Sequence, residues 1–485
     1  MTPLSSLDSS FLRVETPTAH MHVGWLSHLD LPPGAGGLDS ERLMRSIESR
    51  LHLAPRFRQR VVEPPLGIGE PEWVDDPGFR LDRHVRVSTS PTPIGRQGLR
   101  AITDDFLSFP LPRDQPLWSL LVVPRVGPDG AAILGKVHHA MVDGIAAVEL
   151  GMLLFDLEPD AAPDLPPPWT PRRAPGTAAR AVGAIANDAG RRARAAGSIV
   201  RMGASPGAGI RAADAGRRAA VSLAEDALRP AGASFLNPDI TPARTLVTQA
   251  MPMDALEEIK RARGVKLNDV VLALAAGALR QLALIRGAEP ADVRVMVPVS
   301  TRGEGERSAG GNRVTFCFLR LPLTLADPLE RLGRVQEDMR ELKGSGQIAG
   351  SELLMRSLEQ LPGPLKTRAA RFAASPRLYN LTVSNVPGPA VPLYVAGAEV
   401  TSVFPVIPLS DGHALALGVV SYKGAMHFAA HADPVTLPEA RELPTLLSVA
   451  LAELLEACDL GVAADSVRRA RPRAARRRRE PVALA

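Results

Sequence analysis

Cysteine is nearly missing from this chain. Cys317 and Cys458 are the two among 485 residues. They stand far apart and without metal-ligand spacing, which argues against a disulfide framework or a cysteine zinc module. The simplest setting they suggest is reduced and cytosolic. Aromatic residues make up 4% of the sequence, too few for a platform that stacks nucleic-acid bases. Long apolar runs are missing too. The longest is "VVLALAAGAL", Val270 to Leu279, bounded by Asp269 and Arg280 and too short to span a bilayer. The N-terminus has no basic start and no apolar core, so it does not read as a signal peptide. No G-x-x-x-x-G-K-[ST] loop occurs, which leaves a P-loop enzyme without support. "GEGERSAGG", Gly303 to Gly311, follows "VPVSTR" without opening a helix and reads as a mobile loop, not a dinucleotide site.

Proline and glycine are plentiful, 45 and 41 residues, and they mark a linker. Residues 1–156 form a first half. "ERLMRSIESRLHLA" has helical spacing, "PLWSLLVVPRV" and "AAILGKV" read as a hairpin around Pro128–Gly130, and "IAAVELGMLLFDL" reads as a helix. Residues 157–233 are a linker, Pro-rich and then Ala/Arg-rich, with thin-striped helices lying on the surface. Residues 234–465 form a second half. It has helices at "MDALEEIKRARG", ended by Gly264, at "LNDVVLALAAGALRQLALIRG" and at "LPEARELPTLLSVALAELLEAC", and strands between them. Residues 466–485 are a disordered tail holding eight arginines, Arg468, Arg469, Arg471, Arg473 and Arg476 to Arg479. The formal charge is +5, so without them the remainder would be slightly acidic.

The chemistry concentrates in "AAILGKVHHAMVDG". His138 and His139 end an apolar strand, where successive side chains point to opposite faces, so one of them can face a given cleft. Asp143 can cap the next helix or take an ion-pair partner. Gly144 permits a backbone geometry or a close ligand approach that a side chain would block. A histidine at a strand end suits general-base work because its ordinary pKa lies near neutrality. Two structural histidines are the plainer alternative, but the joint H-H-x-x-x-D-G pattern favours function. Zinc is a rival: either histidine with Asp143 gives two ligands, with no evident third. His20 and His22 in "HMH" offer another same-face pair that matches no metal pattern. The reading is therefore metal-free.

"HHAMVDG" resembles the HHxxxDG motif of CoA-dependent acyltransferases, a superfamily that includes chloramphenicol acetyltransferase and peptide-synthetase condensation domains. "PLSSLDSSFLRVETPTAHMHVG", "PLW" at Pro116 to Trp118, "LNDVVLALAAGALR", "VPVSTRGEGERSAGGNRVTFCFLRLP" and "NLTVSNVPGP" narrow the resemblance. Together they are similar to bacterial wax ester synthase/diacylglycerol acyltransferases, in that family's order. The resemblance implies an α/β fold of two chloramphenicol-acetyltransferase-like domains, each a mixed β-sheet flanked by helices, with an active-site tunnel between them. It implies acyl transfer from acyl-CoA, a substrate and not a cofactor, to diacylglycerol or a long-chain alcohol, with no covalent intermediate.

His139 is then the general base, with His138 packed behind it to orient the strand. Asp143 becomes a structural acid paired with an arginine of the other half, Arg302 being the candidate. Asn268 and Asp269 match the family's ND motif, as helix cap and domain interface or as substrate contacts. Trp118 is expected in the core. Ser384 and Asn385 are expected to line the tunnel and help hold an oxyanion. The alternative function is a condensation-type or polyketide-associated acyltransferase with a carrier-protein-bound donor. The insoluble acceptors and the Arg-rich tail suggest a cytoplasmic enzyme held peripherally on an anionic membrane or lipid-droplet surface, with no specific nucleic-acid partner.

Overall fold

The structure is a computed structural model that describes residues 2–64, 69–141, 151–183 apart from 152, 162 and 164, 186, 190, 230–300, 314–344 and 363–460. The described strands are β1 (Thr2–Pro3), β2 (His22–Asp30), β3 (Gln59–Val62), β4 (Glu72–Asp75), β5 (Val85–Val87), β6 (Trp118–Val126), β7 (Gly130–His138), β8 (Thr245–Pro252), β9 (Val293–Ser300), β10 (Val314–Leu321), β11 (Leu381–Val386), β12 (Tyr394–Val395), β13 (Ala398–Val406), β14 (Leu415–Tyr422) and β15 (Ala425–Ala432). The described α-helices are α1 (Ser6–Val14), α2 (Ser40–Arg50), α3 (Arg96–Ser108), α4 (Met253–Arg263), α5 (Leu267–Ile285), α6 (Pro328–Gly344), α7 (Gly363–Ala373) and α8 (Leu443–Ala457).

Two six-stranded mixed sheets carry the architecture. The first runs β12–β13–β2–β7–β6–β5 and the second β10–β9–β11–β14–β15–β8; a small sheet, β1–β4–β3, shares the core of the first through Val61 and Trp73. The hairpin read around Pro128–Gly130 is β6 and β7, paired from Trp118 opposite Val137 to Val126 opposite Gly130. One feature crosses the division at residue 234. β12 and β13 come from the second half of the chain but complete the first sheet, where β13 pairs antiparallel with β2 from Glu399 opposite Asp30 to Val406 opposite Gly24. Without β13, β2 would be an edge with a row of unpaired main-chain donors and acceptors.

Two glycines let the centre of the first sheet close. A Cβ on Gly24 would collide with the carbonyl oxygen of Gly135 across the ladder, and one on Gly135 would strike the Trp25 ring. The middle of α5, Val270 to Leu279, is apolar all round because it is enclosed, the helix packing on α8, α6 and α4. It is the one helix among the described residues that is long and apolar enough to cross a membrane, and most of it is buried inside the protein. α4 ends at Gly264, whose φ of 61° is the left-handed cap that glycine supplies.

α3 ties the two sheets together. The Asp104 carboxylate accepts from the Leu246 N–H at 3.1 Å and the Thr245 hydroxyl at 2.9 Å, closing the edge strand of the second sheet. The Lys136 ammonium, on β7, donates to the Phe106 and Phe109 carbonyls at 2.6 Å each, closing the end of α3. Burial, helped by nearby Arg86, brings the Lys136 pKa down to about 7. Around α3 a shared core joins Leu26, Leu134 and Phe404 of the first sheet to Leu246 and Ala429 of the second. The start of the expected linker is fastened to the body. Trp169 lies under the Arg58 guanidinium at 4.9 Å, and the Arg172 N–H donates to Asp75 at 3.0 Å. Most of the helix expected over 145–157, the Ala/Arg-rich stretch and the tail lie outside the described residues.

Gly24→Ala is expected to destabilise by about 1–3 kcal/mol, because the obstacle is backbone that cannot yield without breaking the β2–β7 ladder. Gly135→Ala should cost less once Trp25 is removed, since its obstacle is a side chain. Thermal melts of Gly24→Ala, Gly135→Ala and Gly135→Ala with Trp25→Ala check this; a wild-type melting temperature for Gly24→Ala would refute it.

Candidate active site

The end of β7 delivers the histidine pair. His138 is the last strand residue and is fully buried; His139 opens a short 3₁₀ turn, His139–Met141. The main-chain N–H of His138 donates to the Leu117 carbonyl and that of His139 to the Met21 carbonyl, both at 2.9 Å. Met21 has a φ of 49°, a left-handed conformation for a buried side chain, which costs about 1–3 kcal/mol and is sustained by its surroundings. The second histidine thus hangs from a carbonyl that a strained residue turns toward it.

The tautomer of His138 follows from its neighbours. Its Nδ1 accepts from the Ala140 N–H at 3.0 Å, so the neutral ring carries its proton on Nε2. Nε2 lies 3.6 Å from Glu15 Oε2, an electrostatic contact longer than a hydrogen bond. The same Glu15 oxygen is paired with Arg113. Burial alone would raise the Glu15 carboxyl, but His138 and Arg113 outweigh it and hold it below the ordinary range. Burial also lowers His138, with Glu15 pulling partly the other way.

His139 is stacked face to face on Phe11 of α1, ring centroids 3.7 Å apart and planes 14° apart. Burial lowers its pKa to about 4; its own main-chain carbonyl opposes the shift and His138 adds to it. The ring is neutral near pH 7, the form that accepts a proton. Its Nδ1 has no partner of hydrogen-bonding geometry among the described residues. α1 is anchored on its other side by Glu70, which accepts from the Ser9 hydroxyl at 2.6 Å, from Arg13 at 2.6 Å and from Lys366 of α7 at 2.7 Å.

The "HMH" histidines are beside the pair. The His22 ring meets His138 edge-on at 6.2 Å and its Nε2 accepts from the Leu111 N–H, while His20 Nε2 bonds to the Pro17 carbonyl. Among the described residues no group of three or more His, Cys, Asp or Glu side chains could hold a metal ion.

The other candidate residues fall into three groups. Asn268 and Asn385 meet, the Asn385 amide donating to Asn268 Oδ1 at 3.2 Å, which joins the start of α5 to the end of β11. Asp269 accepts from the Lys266 N–H at 2.9 Å and so closes the first turn of α5. Ser384 is buried beside them on β11. No hydrogen bond or ion pair among the described residues links these to the histidines. Trp118 is core: its indole N–H donates to the Phe57 carbonyl at 2.9 Å and its ring stacks on His84. Asp143, Gly144 and Arg302 lie outside the described residues. Two surface hollows, of about 370 and 240 Å³, are lined by residues around Arg42 and Arg125 and do not reach the pair. Phe11, Glu15 and Arg113 were not singled out from sequence. The available signal was the four-residue spacing of Phe11 and Glu15, which puts both on one helical face.

Comparison with known proteins bears on this arrangement. The family model described as the wax ester synthase/diacylglycerol acyltransferase catalytic domain matches residues 4–271, and the WS/DGAT C-terminal domain matches 310–455. A protein of Mycobacterium tuberculosis named as a probable diacylglycerol O-acyltransferase, tgs1, is 32% identical over 463 residues, covering 94% of this chain and 96% of that protein. A second from the same organism, tgs2, similarly named, is 30% identical over 453 residues, covering 93% and 98%. The solved wax ester synthase/diacylglycerol acyltransferase of Marinobacter aquaeolei VT8 is 25% identical with a TM-score of 0.67, covering 94% of this chain and all of that one. The first condensation domain of the calcium-dependent antibiotic synthetase shares the fold, with a TM-score of 0.57 at 19% identity over 96% of each chain.

Nine histidines, His20, His22, His28, His84, His138, His139, His413, His427 and His431, are held below their ordinary pKa, with burial the largest cause in each. The unfolded chain therefore takes up protons as pH falls through 6.5 while the folded protein does not. Stability is fully present above that pH and declines toward about 4, by up to about 1.4 kcal/mol per pH unit for each such group. Urea melts at pH 7.5 and 5.5 should show a clear loss of midpoint at the lower pH. Equal midpoints would contradict the burial of these rings.

Proposed function

Because the chain belongs to the wax ester synthase/diacylglycerol acyltransferase family and is an acyltransferase, we propose that it moves a long-chain acyl group from acyl-CoA to the hydroxyl of diacylglycerol, giving triacylglycerol, or of a long-chain alcohol, giving a wax ester. The observation that carries this reading is the state of His139: neutral through burial, fixed in plane by Phe11, and set on a sharp turn at a strand end. In this reading His139 takes the acceptor hydroxyl proton as the oxygen attacks the thioester carbonyl. The tetrahedral intermediate collapses, the C–S bond breaks, and the imidazolium returns the proton to the departing CoA thiolate. Neither cysteine takes part. The Asn385 amide is committed to Asn268, so it is a weaker candidate for oxyanion stabilisation than Ser384. A carrier-protein donor has only the shared condensation-domain fold in its favour, and fold does not define substrate.

The test offers palmitoyl-CoA with hexadecanol or with dioleoylglycerol and follows thiol release. Turnover with either acceptor is expected, and His139→Ala should lower it by roughly 10²- to 10⁴-fold while leaving the thermal melt near wild type. Turnover with an acylated carrier protein alone would overturn the donor assignment; near-normal turnover by His139→Ala would overturn the base.

The acceptors are nearly insoluble in water, so an enzyme using them must collect them at an interface. We propose that the Arg-rich tail holds the protein to an anionic membrane or lipid-droplet surface on the cytoplasmic side, at roughly 1 kcal/mol per arginine near the surface. Full-length protein should co-sediment with anionic vesicles at low salt, and a chain ending at Ser466 should not. Equal binding by both would leave the tail without this role.

A further inference from the structure

The two faces of α1 do different work. One face anchors it through Glu70, which gathers Ser9, Arg13 and Lys366. The other carries Phe11 and ends at Glu15, and these meet the histidines. Anchoring therefore does not require Glu15. Its side-chain partners among the described residues are His138 and Arg113.

From this geometry we infer that Glu15 is a positioning residue for acyl transfer, acting through His138 on the turn that presents His139. The inference rests on the function proposed above. The Ala140 N–H lies inside that turn and is satisfied by His138 Nδ1. Nδ1 can accept there only while the proton sits on Nε2; the opposite tautomer would set two donors against each other. A buried Nε2–H with nothing negative beside it would be costly. The Glu15 carboxylate at 3.6 Å supplies the compensating charge, and Arg113 keeps that carboxylate ionised. Glu15 thus selects the tautomer, the tautomer fixes the turn, and the turn aims His139. Phe11, four residues earlier on the same helix, fixes the plane of the ring it aims.

The test is a double-mutant cycle with a spectroscopic check, on the full chain. Glu15→Gln should lower kcat by roughly 10- to 100-fold, as outer partners of working histidines do, with KM for palmitoyl-CoA within about twofold of wild type. His138→Asn should keep more activity than His138→Gln, because Asn Oδ1 can take the place of Nδ1 as acceptor for Ala140. In the His138→Asn background, which has no Nε2, Glu15→Gln should have little further effect. In ¹⁵N-histidine NMR, His138 should show a protonated Nε2 in the wild type and lose that uniform state in Glu15→Gln. An unchanged kcat, an undiminished effect in the His138→Asn background, or an unchanged His138 signal overturns the inference. Should Glu15→Gln fail to fold, Glu15→Asp carries the same measurements. If the wild type itself fails to turn over palmitoyl-CoA, the proposed function has failed, and the NMR comparison still decides whether Glu15 holds His138.

Discussion

The register of β2 on β7 is the constraint on which the site depends. The ladder runs from Asp30 opposite Gly130 to His22 opposite His138 without a slip. A shift of one residue would turn every side chain of β7 to the other face, and the two histidines would exchange surroundings. The pair of glycines in its middle lets the main chains and the Trp25 ring approach closely enough to hold that register. Where the ladder ends, the chain leaves the sheet, and the first residue to leave is His139. Helix α1 then closes over the turn, while β13 on the far side of β2 gives the ladder a neighbour.

Much of this was legible in the sequence where burial leaves a strong pattern. The hairpin of β6 and β7, the enclosed helix α5, and β14 with β15 announced themselves as apolar runs between turn residues. The family motif marked His138 and His139 directly. β2 was not legible as a strand, because its buried positions include His22 and Ser27 beside Gly24, and its alternation is broken. α1 was equally hard to see: it is short, and its apolar residues Phe11, Leu12 and Val14 are only partly buried, at the margin of the core. The roles of Glu15 and Arg113 could not be read at all. They come from segments almost a hundred residues apart, and a pairing of that kind has no local periodicity.

A common thread joins the buried polar side chains. Lys136 serves carbonyls at the end of α3, His84 Nδ1 bonds to the Trp118 carbonyl, His413 Nε2 to that of Tyr379, and His431 Nδ1 to that of Ile407. Asn380 both accepts from the Arg294 N–H and donates to the Gly232 carbonyl. Each answers a main-chain group that the sheets and helices leave unmatched at their margins. The histidines are therefore neutral by construction, and the neutral state that suits one ring for proton transfer is the state that the others need to fit the interior.

The excursion of β12 and β13 into the first sheet changes what counts as a unit of this protein. The strand that flanks the histidine-bearing ladder is made some 260 residues after that ladder, between strands that belong to the opposite sheet. During synthesis the first half must wait, with the β2 edge uncovered, until β13 has emerged. A nascent first half in that state presents open hydrogen-bonding groups to any neighbouring strand, including the same strand of another copy. Completion of the sheet that carries the candidate site is thus coupled to the arrival of β13.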